Sequence, residues 1–202
     1  MNLTRLNLGC GFKKTEGWIN IDNMPGCNAD IVHDLLDPLP FPDQSVDEIL
    51  AEDVLEHFNK YERYFVFYDW ARVLKVGGKI TLQVPNFKKI AYRYFKLRFD
   101  NFLDLVFGEN LLGSKVYIGN NGNHKWGYSG KSLSKFAEEF GIASLGTKDE
   151  CLNIRFFGKK SRHVSREEAD SLRISSSANR SEKNRGVISL KEASELIKAK
   201  RV

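Results

Sequence analysis

The sequence has no apolar run long enough to cross a bilayer, and it has few cysteines. A membrane-spanning helix needs about 20 consecutive apolar residues, and no stretch of the 202 residues approaches that length. Cys10, Cys27 and Cys151 are scattered, without the C-x-x-C spacing of zinc or redox motifs. These absences argue against a transmembrane segment, a disulfide framework and a cysteine zinc site, and they favour free thiols in a reducing compartment.

The chain also lacks two other patterns that would direct its interpretation. Its first residues contain no apolar stretch of the kind found in secretory signals, so we expect a cytoplasmic protein. Its four histidines show no H-x-x-x-H spacing, so the sequence predicts no metal site. The length and a hydrophobic content of 42% suit one α/β domain with an appendage.

The net charge of +5 is concentrated at the end of the chain. Residues 159–202 carry twelve Lys and Arg against six Asp and Glu, a balance of +6, which leaves −1 for residues 1–158. The polar, serine-rich stretch from Ser161 to Arg185 predicts a flexible linker. Ser189 and Glu192 form a capping-box pattern, which predicts a short amphipathic helix at the end.

We therefore divide the chain into a domain, residues 1–158, and a basic, partly flexible tail, residues 159–202. A helix of about a dozen residues is marginal alone, so we expect the final helix to dock. The body or a partner subunit is the favoured surface, and peripheral contact with a membrane is the alternative. The sequence gives no oligomeric state.

The stretch from Arg5 to Asp22 has the layout of a nucleotide-type cofactor site. The apolar run Leu6–Leu8 leads into a turn containing Gly9 and Gly11, and a second apolar run ends in Asp22. Glycine permits backbone angles that a Cβ would block, and the exposed amides of such a turn can hold a polar ligand. A carboxylate at the end of the next strand suits the two hydroxyls of a ribose. For the glycine pair alone, an ordinary tight turn is the alternative.

Alternating strand and helix patterns predict an open, mostly parallel sheet with its ligand crevice at the carboxyl ends of the strands. The predicted strands are Leu6–Leu8, Ile19–Asp22, Ile31–Asp34, Val46–Ala51 and Lys79–Val84, followed by a hairpin of Leu145–Lys148 and Asn153–Phe157. Only ten residues separate the first two strands, too few for the usual crossover helix. The fold class is therefore α/β and Rossmann-like, with about seven strands, a terminal antiparallel hairpin and a shortened first crossover.

Three stretches have helical periodicity. Val54–Leu74 is predicted to be helical in two pieces, broken near Asn59 and ended by the Gly77-Gly78 pair. A shorter helix is predicted at Lys131–Phe140. Phe87 to about Phe107 interleaves cations with aromatic residues.

Two interpretations of the basic, aromatic helix remain open. It is either an ordinary amphipathic helix with solvated cations or a wall for an acidic substrate, with nucleic acid as a less favoured partner. A loop rich in Gly and Asn follows it, and loops of this length are often lids. We expect residues 87–128 to form the substrate side and lid of the site.

Five blocks of sequence, in their order and spacing, resemble the class I S-adenosylmethionine-dependent methyltransferases. The blocks are L-N-L-G-C-G, G-W-I-N-I-D, D-L-L-D-P-L-P-F-P-D-Q-S-V-D-E-I, V-L-E-H-F and R-V-L-K-V-G-G-K-I-T-L-Q-V-P-N. The resemblance runs from about Leu3 to Gly158 and is greatest to a small branch of predicted methyltransferases often associated with bacterial surface-glycan genes. The chain departs from the wider family at Asn7, where an acidic residue is usual, and at Lys13, where a third glycine is common.

The resemblance implies S-adenosylmethionine as the cofactor and gives individual residues expected roles. The expected cofactor-binding residues are Asn7, Gly9, Cys10, Gly11, Asp22, Asp34, Leu35 and Glu52. Asp34 and Leu35 would lie at the adenine, and Glu52 and Asp53 would face the methyl group and the acceptor. A hydroxyl acceptor benefits from a base, and His124, His57 and then Asp53 are the candidates, since a neutral imidazole is available near pH 7.

We therefore expect methyl transfer to a polar, anionic acceptor such as a glycan or a glycan precursor, in glycan biosynthesis. One alternative keeps the cofactor and makes RNA the acceptor, drawing on the basic helix and tail. The other is a non-catalytic cofactor-binding or scaffold protein, for which the altered glycine loop leaves room.

Overall fold

The computed structural model describes residues 3–94 and 124–171, which form a seven-stranded sheet. The strands are β1 (Arg5–Leu8), β2 (Ile19–Asp22), β3 (Ile31–Val32), β4 (Val46–Glu52), β5 (Leu74–Pro85), β6 (Ile142–Glu150) and β7 (Asn153–Lys160). Their order is β3-β2-β1-β4-β5-β7-β6, and β7 runs in the opposite direction to the other six strands. The predicted Rossmann-like fold with its terminal hairpin is confirmed.

The described helices are a 3-10 turn at Leu55–His57, α1 (Glu62–Val73), α2 (Phe87–Tyr94) and α3 (Gly130–Glu139). The predicted break near Asn59 is confirmed. The side-chain oxygen of Asn59 accepts from the amide of Glu62 at 3.1 Å, and the carboxylate of Glu62 accepts from the amide of Asn59 at 2.9 Å. This reciprocal exchange is that of a capping box, and it starts α1 after the break.

The prediction that Gly77 and Gly78 end the helix is wrong. α1 ends at Val73, and Leu74 is already extended and pairs with Val46 of β4. The register between β4 and β5 shifts just after this pair, and Gly77, at φ +87°, lies in the irregular stretch. The glycines therefore allow the irregular backbone at the start of β5, because glycine adopts positive φ in a strand irregularity as readily as at a helix end.

The first crossover, residues 9–18, contains no helix, as predicted, and two buried asparagines hold it in place. The side-chain amide of Asn7 donates to Asn20 Oδ1 at 2.9 Å and to the carbonyl of Lys13 at 3.1 Å. Asn20 Oδ1 also accepts from the amide of Thr15 at 2.8 Å, and Asn20 Nδ2 donates to Asp30 at 2.8 Å. Side-chain hydrogen bonds thus replace the backbone bonds that a helix would supply.

The core lies between the sheet and the helices α1 and α3. Trp70 and Phe67 of α1 are fully buried, and Phe67 contacts Phe136 of α3 at 5.0 Å between ring centroids. Such aromatic contacts add to the free energy of apolar burial. Among the described residues, no helix has the length and apolar character needed to cross a bilayer.

The prediction of a flexible linker from Ser161 onward is wrong for its first part. Residues 166–171 are helical, and Val164 and Ala169 are buried in the core at 3% and 1% exposure. These apolar side chains pack on the body, which the polar composition around them concealed. The basic helix beyond Tyr94 and the tail beyond residue 171, with its predicted final helix, lie outside the described residues, so those expectations stay predictions.

Candidate active site

The glycine turn after β1 has the backbone conformation that its sequence predicts. Gly9 and Gly11 have φ values of +65° and +50°, a region that L side chains rarely adopt. The Gly9 amide donates to the carbonyl of Ile21 in β2 at 2.8 Å. A Cβ on Gly9 would overlap a methyl group of Val54. Both the backbone angle and the close approach therefore require glycine at position 9.

Asp22 at the end of β2 is tied directly to this turn. Its Oδ2 accepts from the amide of Gly11, and its Oδ1 accepts from the amide of Met24, both at 2.7 Å. A carboxylate has about four acceptor sites, so two remain for hydroxyl groups. The structure thus joins two of the predicted cofactor residues, Gly11 and Asp22, in one rigid unit.

A pocket opens where β1 and β4 end. It is lined mostly by polar and charged residues, namely Asn7, Gly9, Cys10, Lys13, Lys14, Thr15, Glu52 and Asp53. The expected residues Asn7, Gly9, Cys10, Glu52 and Asp53 are therefore brought together. Lys13, Lys14 and Thr15 were not expected to line it, because only the folded crossover brings them to the pocket.

The side chains of two of these expected residues, Asn7 and Cys10, are engaged or buried within the protein itself. The side-chain nitrogen of Asn7 donates within the crossover. Burial and, to a lesser extent, the nearby Asp22 carboxylate together raise the pKa of the Cys10 thiol to about 11. The thiol is therefore protonated at neutral pH, and Cys10 contributes its backbone and its bulk to the pocket.

Asp34 and Leu35 are not part of the pocket lining. Asp34 Oδ1 accepts from the amide of Leu36 at 2.9 Å, the arrangement of an Asp that closes its own turn. Leu35 is half-buried and packs on the core. An adenine bound in this pocket would therefore not meet Asp34 or Leu35 through the pocket lining, and their expected contact with it stays a prediction.

Charged side chains converge at the carboxyl end of β4. Arg155 of β7 donates to Glu52 at 2.6 Å and to Gln83 at 2.7 Å, and Gln83 in turn donates to Asp53 at 3.1 Å. Asp53 itself has a φ of +55°. An exposed carboxylate held in this sparsely populated region is a feature of functional sites. Sequence reasoning missed Arg155, since only the strand register places it opposite Gln83.

The two candidate histidines come together in the fold, although 67 positions separate them. The rings of His57 and His124 have centroids 5.3 Å apart. His57 ends the 3-10 turn after β4. The amides of Lys125 and Trp126 donate to the backbone carbonyl of Glu56, at 2.7 and 3.1 Å, and so hold His124 beside that turn.

Glu56 lies with these histidines, and sequence reasoning missed it. His124 Nε2 lies 4.0 Å from Glu56 Oε1, and Glu56 is 0% exposed. Neither carboxylate oxygen has a hydrogen-bond partner among the residues that the structure describes. Burial raises the pKa of Glu56 well above its ordinary value, and the negative charge of Asp53 adds to this. The signal in the sequence was the acid next to His57 in V-L-E-H-F, but its burial is not visible there.

Residues 6–82 match the sequence family described as "Methyltransferase domain". None of the curated proteins compared with the chain matches it. Among solved structures, a chain of the complex between the Haloferax volcanii Trm112 methyltransferase activator and the putative methyltransferase superposes with a TM-score of 0.59, at 13% identity over 81% of this chain and 84% of that one.

Two further solved structures share the fold at similar identity. An S-adenosylmethionine-dependent methyltransferase from Clostridium acetobutylicum gives a TM-score of 0.57 at 13% identity, over 80% of this chain and 85% of that one. Another from Mesorhizobium loti gives 0.55 at 13% identity, over 78% and 91%. Similarity at this level concerns the fold, whereas the match over residues 6–82 concerns the sequence of the domain itself. Residues 6–82 therefore match a methyltransferase domain in sequence, and the chain shares its fold with S-adenosylmethionine-dependent methyltransferases.

Proposed function

We propose that the enzyme methylates a polar, anionic acceptor such as a glycan or a glycan precursor. The observation that carries this proposal is that His57, in the turn after β4, meets His124 a few residues beyond Asp53, which lines the pocket. In open α/β sheets this edge is where ligands bind. The glycan class rests on the sequence resemblance, and the anionic character rests on α2.

The pocket has the features that the cofactor requires. Asp22 is held at the glycine turn beside the pocket, and after accepting from the amides of Gly11 and Met24 its carboxylate retains acceptor sites for ribose hydroxyls. Lys13, Lys14 and Glu52 line the pocket and carry both signs of charge, as the charged methionine portion does. Lys14 is paired with Asp30 and Glu52 with Arg155, each at 2.6 Å. When bound, S-adenosylmethionine supplies a methyl group on a positively charged sulfur, so the carbon–sulfur bond breaks as the bond to the acceptor forms.

The protein's own contribution is alignment and removal of a proton. Orientation of reactants alone can lower a barrier by several kcal/mol. A hydroxyl acceptor must also lose its proton, and His124, His57 and Asp53 are the groups proposed to receive it. Arg155 and Gln83 hold Glu52 and Asp53 in place for this task.

Helix α2 supports an anionic acceptor. Lys88 is exposed, and Tyr92 is 76% exposed. Lys89 pairs with Asp149 at 3.0 Å, so its charge is partly balanced within the protein. An exposed cation one turn from an exposed aromatic ring suits a charged sugar, because the ring packs on the sugar face while the ammonium meets the anion.

Cofactor binding is tested by calorimetric titration of the purified chain with S-adenosylmethionine. Asp22→Ala removes the proposed ribose contact, and we expect it to weaken binding about 10- to 100-fold, from the value of hydrogen bonds to a charged group. Asp149→Ala removes a carboxylate from the terminal hairpin and serves as the matched control. Equal affinities for the two variants would contradict the proposed site.

The acceptor is tested by mass spectrometry of the chain with cofactor and paired acceptors, one anionic glycan and its neutral counterpart. We expect methylation of the anionic member, with the preference falling as salt rises, since salt screens exposed charges. Lys88→Ala should reduce the preference, and Lys79→Ala, an exposed lysine of β5, should not. Equal methylation of both acceptors at low salt would contradict the anionic assignment.

A further inference from the structure

Glu56 presents a buried carboxylate whose interactions within the described residues are incomplete. The nearby amides of Lys125 and Trp126 donate to its backbone carbonyl and not to its side chain. Both side-chain oxygens are without a hydrogen-bond donor in the part of the chain that the structure describes. A buried carboxylate normally has hydrogen-bond donors, a paired cation or a metal ion. Within the described residues, the buried carboxyl group of Glu56 therefore has room for a partner that the protein itself does not supply.

The spacing of the neighbouring groups indicates what this partner is. The 4.0 Å from His124 Nε2 to Glu56 Oε1 is too long for a hydrogen bond. One ligand atom from each of Glu56, His57 and His124 lies within 4.8 Å of the other two. Nitrogen and oxygen ligands lie about 2.0–2.2 Å from a zinc ion, which places two ligands of one ion roughly 3–4 Å apart. A small inward movement of the three groups thus brings their ligand atoms to the spacing that one ion requires.

We infer that Glu56, His57 and His124 bind one divalent transition-metal ion, with Zn²⁺ as the best-suited ion. Two imidazoles and one carboxylate match the preferences of zinc and its neighbours, whereas Mg²⁺ and Ca²⁺ favour oxygen ligands alone. Three protein ligands leave a coordination position open, as in catalytic zinc sites. The sequence concealed this site, because its third ligand is 67 positions away from the second.

The fold holds the three ligands together through its backbone. Glu56 and His57 are neighbours in the 3-10 turn that follows β4. The two hydrogen bonds from Lys125 and Trp126 to the carbonyl of Glu56 attach the His124 segment to the same turn. The ligand positions are therefore linked by backbone bonds, which favours a site formed before the ion arrives.

The site lies at the edge of the sheet where the acceptor is proposed to bind. Glu56 is three residues beyond Asp53, which lines the pocket. An open position on the ion suits an acceptor oxygen, and this last step rests on the proposed function, whereas metal binding itself does not. With the ion bound, His57 and His124 act as ligands, and Asp53 is the remaining candidate to take the acceptor proton.

The test uses the full chain without a histidine tag, stripped with a chelator and titrated with Zn²⁺, Mn²⁺ and Mg²⁺ in a calorimeter. We expect one equivalent of Zn²⁺ to bind, Mn²⁺ to bind more weakly and Mg²⁺ not to bind. Glu56→Gln and His124→Gln should each weaken Zn²⁺ binding at least tenfold. His163→Gln, at an exposed histidine outside the cluster, is the matched control and should leave binding unchanged.

Two readouts complete the test. X-ray absorption of the zinc-loaded chain should show nitrogen and oxygen ligands without sulfur, which would exclude Cys10 and Cys27. S-adenosylmethionine titrations of the same variants should give wild-type affinity, which verifies folding and separates this inference from the cofactor proposal. Absence of Zn²⁺ binding, sulfur ligation, or full binding by both Glu56→Gln and His124→Gln would overturn the metal site.

Discussion

Both the backbone angle and the packing at position 9 require glycine. Its φ of +65° strains any L side chain, and an added methyl group would overlap the side chain of Val54. We predict that Gly9→Ala lowers the free energy of unfolding by about 2–4 kcal/mol, the sum of backbone strain and overpacking. Urea denaturation followed by circular dichroism measures this loss.

A second substitution separates the two causes. Val54→Ala removes the methyl groups that the new Cβ would meet, so the double variant should recover the packing part and keep the backbone part. Additive losses in the double variant would show that Val54 is not the obstacle. Gly17→Ala, at φ +75° with no neighbouring atom within contact distance, is the control for backbone strain alone.

At this scale, local features were predictable from the sequence and non-local ones were not. Gly9, Gly11 and Asp22 lie within one short stretch, so the sequence predicted the positive-φ turn after β1 and placed Asp22 at the end of β2. Glu56 and Arg155 gain their roles from distant partners, and no local pattern carries that information. Asp34 shows that a local pattern can also fit two roles. Its position after β3 suited a cofactor contact, but in the structure its carboxylate accepts from the amide of Leu36 and closes a turn.

Among the elements, β7 and α1 are joined by a buried charge. Lys160, at 1% exposure, donates to the carbonyls of Ala71 and Leu74, at 2.7 and 2.6 Å, where α1 ends. Burial lowers the pKa of this lysine to about 8. A neutral amine still has two N–H groups, so both hydrogen bonds can persist after the proton is lost.

This shift predicts a pH dependence of stability. Between about pH 8 and the ordinary lysine pKa near 10.4, the unfolded chain retains the proton that the folded chain has lost, so stability rises with pH. Below pH 8 both states are protonated, and this contribution is constant. The measurement is urea denaturation at pH 7 to 10 of the wild type and Lys160→Met.

Between about pH 8 and 10, the free energy of unfolding of the wild type should rise relative to that of Lys160→Met. Lys159→Met, at the exposed neighbouring residue, should follow the wild type at every pH. A constant difference between wild type and Lys160→Met from pH 7 to 10 would refute the assignment of a lowered pKa.

The elements themselves were largely predictable, and their ends were not. Each strand of the described residues overlaps a predicted strand, and the ten residues between β1 and β2 excluded a helix there. The start of β5 was missed because Gly77 and Gly78 are typical of helix ends. Pairing of Leu74 with Val46, a tertiary contact, decided the boundary instead.

For the whole molecule, the packed body continues beyond the boundary that composition suggested. Val164 and Ala169 complete the core, and Lys160 secures the end of β7. We predict that a chain ending at residue 158 is less stable than a chain ending at 171 by about 3 kcal/mol or more, since burial of one valine side chain alone contributes about 1.5–3 kcal/mol. Thermal unfolding of both chains measures the difference.

The chain ending at residue 171 is the matched control for loss of the remaining tail. Equal stabilities of the chains ending at 158 and 171 would restore the boundary at 158 as the end of the domain.

The pairing of Asn86 with Tyr128 has a consequence for the length of the sequence between them. The amide of Phe87 donates to the carbonyl of Tyr128 at 3.1 Å, so the chain leaves the sheet and returns to it at the same place. Doubling the length of a flexible connection costs only about 0.6 kcal/mol in closure entropy. The sequence between these two anchors can therefore change in length at a small entropic cost, without altering the strands that carry the glycine turn.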